Sequence, residues 1–405
     1  MRNGINKSKL EIIDLRISLV DSEPYSYPII KLKTNQGIEG IGEARDGSDP
    51  RNALRFKALL LGMNPLNIDK IFRAMKKHIG ITKYGWSGTG GRESGGISGI
   101  EMALWDIAGK VHEAPVYQLL GGKHRNRVRI YADTPQPENP TPENYAKKAA
   151  ERIETGVNFL KLDLGIPILK ELDESDLLTE NSPTEKGIEY LVSCLEAVRR
   201  EVGWDIPIAI DHLGRLSIED CKRLGRALEV YNLAWIEDPR PWSDLEGYRE
   251  ITKSTNVPTL TGEGIFSLEG FRNLIDKRAV RKIHPDPGTA GGLRETKRIA
   301  DYAGRNYIST ALHCAGSPIS FMANVHVAAA IKDFVALENH ALDIPWWENL
   351  VRGLPEPLME SGYVKVPEKP GLGLELNSEE IKEHLKHGGY FRPTDDWNQH
   401  EVFKF

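Results

Sequence analysis

A chain of 405 residues is too long for one small core and divides naturally into a domain of roughly 250 residues and a smaller companion. Its 40% hydrophobic and 27% charged residues are ordinary for a soluble globular protein, and a net charge of -5 argues against nucleic acid or an anionic membrane as partner. Cys194, Cys221 and Cys314 lie far apart and form no C-x-x-C pair, which excludes a disulfide framework; with no apolar core near Met1 and no apolar run long enough to span a bilayer, a cytoplasmic location is expected.

Residues 10–20 read as a strand, and the apolar runs 28–34 and 37–44 flank Asn35-Gln36 as a hairpin. A helix is expected over 67–78, with Ile68, Ile71, Phe72 and Met75 on one face. Residues 84–96 hold six glycines in thirteen positions and fail the dinucleotide fingerprint, because Glu93 stands where its last glycine belongs; the stretch reads as a mobile loop. A strong helix follows over 99–110, and Leu119-Leu-Gly-Gly122 is a turn. Strands first and helices after give this part an α+β pattern.

From residue 127 the pattern changes to strict alternation. Eight strand-like runs cover 128–132, 159–164, 207–211, 233–237, 259–263, 281–286, 307–313 and 334–338, with helices between them. One helix is expected from Pro183, opened by the capping box Ser182-Pro-Thr-Glu185. Polar residues end the last seven runs, and after the long second connection the ends recur every 23 to 27 residues. That is the period of a (β/α) barrel, whose chemistry lies at the C-terminal ends of its strands. The expected architecture is therefore α/β: a modified TIM barrel, (β/α)7β-like, over 127–344, an α+β capping domain over 1–126, and a tail over 345–405 that packs back on the cap.

Asp211, Glu237 and Glu263 stand 26 residues apart, each directly after an apolar run. Three like charges at one level of successive strands need a counter-ion, and all-oxygen ligation suits a hard cation such as Mg²⁺. Around them one pocket would gather Lys161, Asp163, Asp286, His313 and Glu338. His313 is the candidate general base, oriented by Asp286 on the neighbouring strand. Lys161 and Asp163 share a strand face, either as a plain ion pair or with Lys161 acting on substrate. Glu338 is either a structural carboxylate or, with its pKa raised by neighbouring acids, a hydrogen-bond donor. His212 faces away from the metal unless the backbone turns after Asp211, in which case it is a candidate acid. His340 reads first as a loop histidine, and Trp346 and Trp347 as core. These parts suit abstraction of a proton next to a chelated carboxylate, an enediolate stabilised by the cation and Lys161, and acid-assisted loss of a β-oxygen; protonated His313 itself is a second candidate for that acid. A histidine-ligated hydrolase and a non-catalytic sugar-acid binder fit the carboxylate-rich ring and the base pair less well.

The constellation resembles the enolase superfamily, in particular its mandelate-racemase-like acid-sugar dehydratases; sites of that superfamily are themselves a worked example of a Lys or His base with Mg²⁺. The likeness spans nearly the whole chain and includes the helix at 100–110, Pro115-Val-Tyr-Gln-Leu-Leu-Gly-Gly122, the three acids, and Ile283-His-Pro-Asp286 leading to Gly291-Gly292. It implies Mg²⁺ on Asp211, Glu237 and Glu263, His313 with Asp286 as base, Glu338 beside the substrate carboxylate, a small-molecule sugar acid as substrate and a homo-oligomer. Two positions depart from the pattern. Galactonate- and mannonate-type dehydratases carry their acid histidine where this chain has Leu213, and racemases carry a second lysine where it has Asp163. Substrate-reading loops are expected at 21–25 and 84–96.

Overall fold

The computed structural model describes residues 5–23, 25–80, 91–172, 176–179, 182–213 and 216–399. Strands β1 (Ile12–Ser22), β2 (Tyr25–Thr34) and β3 (Glu39–Glu43) form an antiparallel meander, backed by helices α1 (Ile68–His78) and α2 (Gly91–His112). Ile68, Ile71, Phe72 and Met75 of α1 are buried, as their helical spacing requires.

Helix α2 starts eight residues earlier than its apolar pattern suggests, so 91–96 are helical and not loop; residues 84–90 lie outside the described residues. The glycines serve close packing here. A Cβ on Gly96 would strike the Asn52 carbonyl, and one on Gly99 would come within 2.7 Å of the Ala44 nitrogen, where β3 crosses the helix. The composition that reads as mobility is what lets backbone meet backbone.

Eight parallel strands close into a barrel: β4 (Arg127–Thr134), β5 (Leu160–Asp163), β6 (Ile208–Asp211), β7 (Trp235–Glu237), β8 (Thr259–Thr261), β9 (Lys282–Ile283), β10 (Ser309–Leu312) and β11 (Phe334–Asn339). Closure comes from β11 against β4, with Glu338 opposite Tyr131 and Asn339 opposite Ala132. Helices between successive strands are capped by their own sequence. Thr141 accepts from Asn144 N at 3.3 Å, with Pro142 in the first turn, and Ser217 accepts from Asp220 N at 3.0 Å. The helix expected from Pro183 begins instead at Glu185. Thr184 is the cap, accepting from Gly187 N at 3.2 Å, while Ser182-Pro183 pairs with Leu178-Thr179 and the Ser182 hydroxyl goes to Asp220. Two hydroxyls competed for one cap, and the nearer one won.

The barrel interior below the mouth is filled by Tyr131, Phe159, Ala209, Trp235, Leu260, Ala311 and Ala336, a floor of stacked aromatics wedged by alanines. Phe159 and Tyr131 lie 5.0 and 5.2 Å from the Trp235 ring. The helix after β10, α3 (Pro318–Ala330), is buried along its whole length, and its apolar side chains share one core with Tyr27, Val116, Leu372 and Ile381. That core contains residues from the meander, the barrel and the C-terminal segment together. The C-terminal segment returns along two edges: Tyr363–Lys365 pairs antiparallel with β4, and Leu385–His387 with β1. Trp347 is buried against Phe321, and Trp346 stacks on His384.

Two buried glutamates bind cap to barrel. Glu101 of α2 accepts from Leu293 N at 2.7 Å and Arg294 N at 3.2 Å, at the start of the Leu293–Arg305 helix. Glu43, ending β3, accepts from Ser317 N at 2.9 Å and from the Ser317 hydroxyl, at the start of α3. A carboxylate at a helix start meets both free N–H groups and the positive end of the helix dipole.

Candidate active site

All the candidate residues gather at the C-terminal mouth of the barrel. Asp211 and Glu237 end adjacent strands β6 and β7, which pair in register at Ile210 and Ile236. Glu263 lies two residues beyond β8, higher up the mouth. Trp235 in the floor donates to Glu237 at 3.0 Å and fixes that carboxylate from below. The other oxygen of Glu237, Oε1, is buried without a hydrogen bond; His284 Nδ1 lies 3.0 Å away but out of line. Burial, then repulsion from Asp211, pushes the Glu237 carboxyl well above the usual range despite Lys161. Three carboxylates that repel one another, one of them with an oxygen that no hydrogen bond satisfies, fit a hard cation bound by Asp211, Glu237 and Glu263.

A second close group consists of His313, Glu338 and His340, whose ligand atoms lie within 4.8 Å of one another. It does not need a cation. Lys161 Nζ is 2.6 Å from Glu338, and both imidazoles are held above their ordinary pKa, so the glutamate already has positive partners.

Lys161 is buried at the barrel axis. Its ammonium lies 2.6 Å from Glu338, 3.0 Å from Asp211, 3.4 Å from Asp133 and 3.6 Å from Glu237. The ion pair with Asp163 does not form: Asp163 points to the mouth, where His212 Nε2 is 3.6 Å from it. Burial and the neighbouring Asp133 raise the Asp163 carboxyl to about 7.

Glu338 is no hydrogen-bond donor. Burial alone would raise its pKa, but Lys161, His340 and His313 outweigh burial and hold it well below the usual carboxylate value, so it accepts. His313 Nδ1 meets Asp286 at 2.7 Å, and Gly288 N donates to the other Asp286 oxygen at 2.6 Å, fixing the pair. His313 Nε2 lies 3.1 Å from Glu263. Burial and Arg45 would lower the His313 pKa; Glu263, Glu338 and Asp286 prevail and raise it well above the usual value.

The backbone does turn after Asp211. His212 adopts a left-handed φ of +59°, which swings its ring over the mouth, 3.8 Å from Asp211, with the side chain 60% exposed.

Four contributors escape the sequence pattern. Arg45 comes from the cap, just after β3. Its guanidinium donates to the Glu263 carbonyl at 3.0 Å and lies 3.5 Å from Asp286, Glu263 and His313 Nε2. Asp133, the penultimate residue of β4, lies one residue beyond the run read as a strand. His284 is buried beside Tyr131 and Glu237. His340 lies in the turn after β11, as the loop reading has it, but its ring is mostly buried between Asp133 and Glu338. Only Asp133 had a sequence signal, since extending the first run would end it on a polar residue like the other seven.

Residues 7–121 match the mandelate racemase / muconate lactonizing enzyme N-terminal domain, and residues 144–381 the enolase C-terminal domain-like family. The chain is 36% identical to D-xylonate dehydratase of Haloferax volcanii, over 96% of this chain and 91% of that one. It is 30% identical to a D-mannonate dehydratase of Caulobacter vibrioides, over 93% and 95%. A crystal structure of a mandelate racemase/muconate lactonizing enzyme-like protein from Rubrobacter xylanophilus superposes with a TM-score of 0.84 at 33% identity, covering 95% of this chain and 99% of that one. The barrel, its cap and the two matching domains agree, and the chain belongs to the mandelate racemase / muconate lactonizing enzyme family of the enolase superfamily.

Proposed function

We propose that this enzyme dehydrates an aldonic acid to a 2-keto-3-deoxy acid, with Mg²⁺ held by Asp211, Glu237 and Glu263. The observation that carries the reading is the His313–Asp286 pair at 2.7 Å, set beside a carboxylate trio with an orphaned oxygen. Mg²⁺ held there would supply a Lewis acid for the substrate carboxylate. Lys161 lies where the enediolate charge develops and offers an ammonium to it. His313 Nε2 is the atom that would take the proton from C2. Asp286 keeps the ring in place and stabilises the imidazolium that results. Glu338, ionised and anchored by Lys161, orders the pocket wall beside the substrate carboxylate. Departure of the C3 hydroxyl needs a proton. His212, turned to the mouth with Asp163 beside it, is one group able to bring it, and protonated His313 is another.

The relatives' names support an aldonate: D-xylonate for the Haloferax enzyme, D-mannonate for the Caulobacter enzyme and D-gluconate for one of Thermoproteus tenax. The reading includes the division into a cap (1–126), a barrel (127–344) and a returning tail (345–405), a homo-oligomer and a cytoplasmic location; no helix among the described residues is long and apolar enough to cross a membrane. The test is incubation with a panel of pentonates and hexonates plus Mg²⁺, with products identified by mass. A product one water lighter than its substrate is expected. A product isomeric with its substrate would instead make the enzyme an epimerase or cycloisomerase working through the same enediolate.

A further inference from the structure

The seam where the barrel closes holds a second aspartate–histidine pair. His340 follows β11, and Asn339 shapes the turn there: its side chain accepts from Ala341 N at 2.9 Å, and His340 takes helical dihedrals (φ -89°, ψ -10°) instead of continuing the strand. That turn aims the imidazole inward. Its Nδ1 lies 3.4 Å from Asp133 at the end of β4, and its Nε2 lies 3.0 Å from Glu338.

The arrangement uses the same residue types as the base but is looser: Asp133 stands 3.4 Å from His340, where Asp286 meets His313 at 2.7 Å. His313 holds an aspartate at Nδ1 and points Nε2 at a glutamate, Glu263, across the mouth. His340 holds Asp133 at Nδ1 and points Nε2 at Glu338. The two rings are 5.6 Å apart, a separation that lets one reach C2 and the other the oxygen on C3 of one extended substrate. His212, one of the alternatives, is placed less well. His212 is 60% exposed, and its carboxylate neighbours lie at 3.6 and 3.8 Å, beyond hydrogen-bonding distance.

We propose that His340, oriented by Asp133, is the acid that protonates the departing C3 hydroxyl. The proposal rests on the dehydration reading above. His313 takes the C2 proton, and that electron pair becomes the C1–C2 double bond of the enediolate. The enediolate collapses to form C2=C3 while the C3–O bond breaks, and the Nε2 proton of His340 joins the leaving oxygen as water. The resulting enol takes a proton at C3 from His313 and loses its C2 hydroxyl proton to His340, which restores both groups. Burial would lower the pKa of His340, but Asp133 and Glu338 raise it above the ordinary value, so the group carries the proton this step uses. Lys161 and His313 are the cationic groups facing it from β5 and β10.

The test compares two leaving groups, because fluoride departs without a proton. D-xylonate and 3-deoxy-3-fluoro-D-xylonate, each with Mg²⁺, are given to the wild type, His340→Gln, Asp133→Asn and His212→Asn. The expected result is that His340→Gln loses about 100-fold or more in water elimination, the usual weight of a general acid, while fluoride elimination stays within about threefold of wild type. Asp133→Asn, a positioning change, should lose less but show the same selectivity for fluoride, and any loss in His212→Asn should fall equally on water and fluoride elimination. Equal loss of both eliminations in His340→Gln and Asp133→Asn would make the pair structural and overturn the proposal. So would a water-specific loss in His212→Asn with His340→Gln unaffected. A wild type that releases fluoride but dehydrates no member of the aldonate panel would defeat the dehydration reading, and the acid with it.

Discussion

The two halves of the barrel mouth solve the problem of buried charge in opposite ways. Along β6 to β8, Asp211, Glu237 and Glu263 set like charge against like charge, and Glu237 keeps an orphaned oxygen. Across the seam from β10 through β11 to β4 and β5, Glu338 is surrounded by Lys161, His340 and His313, and Asp133 lies between Lys161 and His340. The first half has three carboxylates for cationic partners that stand mostly at 3 Å or more, Lys161 at Asp211 and Glu237 and Arg45 and His313 at Glu263, while the second sets Lys161 and two imidazoles around two carboxylates. A buried carboxylate without a partner is costly, so evolution keeps such an arrangement only where a ligand completes it. On the proposed reading, the first half holds the metal and the second moves the proton.

The largest effect should come from the second half. His313→Asn should lower kcat for dehydration by about 10³-fold or more, within the range for a general base, and abolish solvent exchange of the C2 proton. Loss of dehydration with exchange intact would place the base elsewhere. Next comes the first half. Mg²⁺ at about 100 times its Kd should stabilise the wild type by about 2.7 kcal/mol, read as a rise in Tm, and Glu237→Gln should forfeit most of that rise. An equal rise in both proteins would remove Glu237 from the metal. Asp286→Asn should cost about 10- to 100-fold in kcat while leaving the Mg²⁺-induced rise in Tm unchanged, as expected of a residue that orients the base and not the metal.

A further expected effect, read in stability and not in activity, concerns the seat of the cap. Burial raises the Glu43 carboxyl to about 8, although the Ser317 donors favour its ionised form. The folded chain therefore keeps a proton there that the unfolded chain has already released above about pH 4.5. Stability from this group falls as pH rises between about 4.5 and 8, by at most about 1.4 kcal/mol per unit. Glu43→Gln should flatten that part of the stability–pH profile measured by denaturant unfolding, and an unchanged slope would contradict the assignment.

Legibility in the sequence follows the same division. Asp211, Glu237 and Glu263 are spaced by the barrel's own repeat, and His313 and Asp286 fall at strand ends in the same count, so period alone brings them together. Asp133 and His340 meet only because β11 pairs with β4, a contact between the ends of the barrel that no local periodicity records. Arg45 arrives from the cap, which follows a different pattern. His212 could be placed only from its left-handed backbone. The glycines at 95 and 96 misled for another reason: composition cannot tell a glycine needed for motion from one needed for close approach.

The central claim is that the two halves act together on one carboxylate substrate. It is tested most directly by running the Mg²⁺-loaded enzyme on the aldonate panel in D₂O and reading both product and recovered substrate by mass. The account predicts a 2-keto-3-deoxy acid, one water lighter than its parent, with solvent deuterium at C3. Substrate recovered without deuterium at C2 and without any keto acid, across the whole panel, would contradict it.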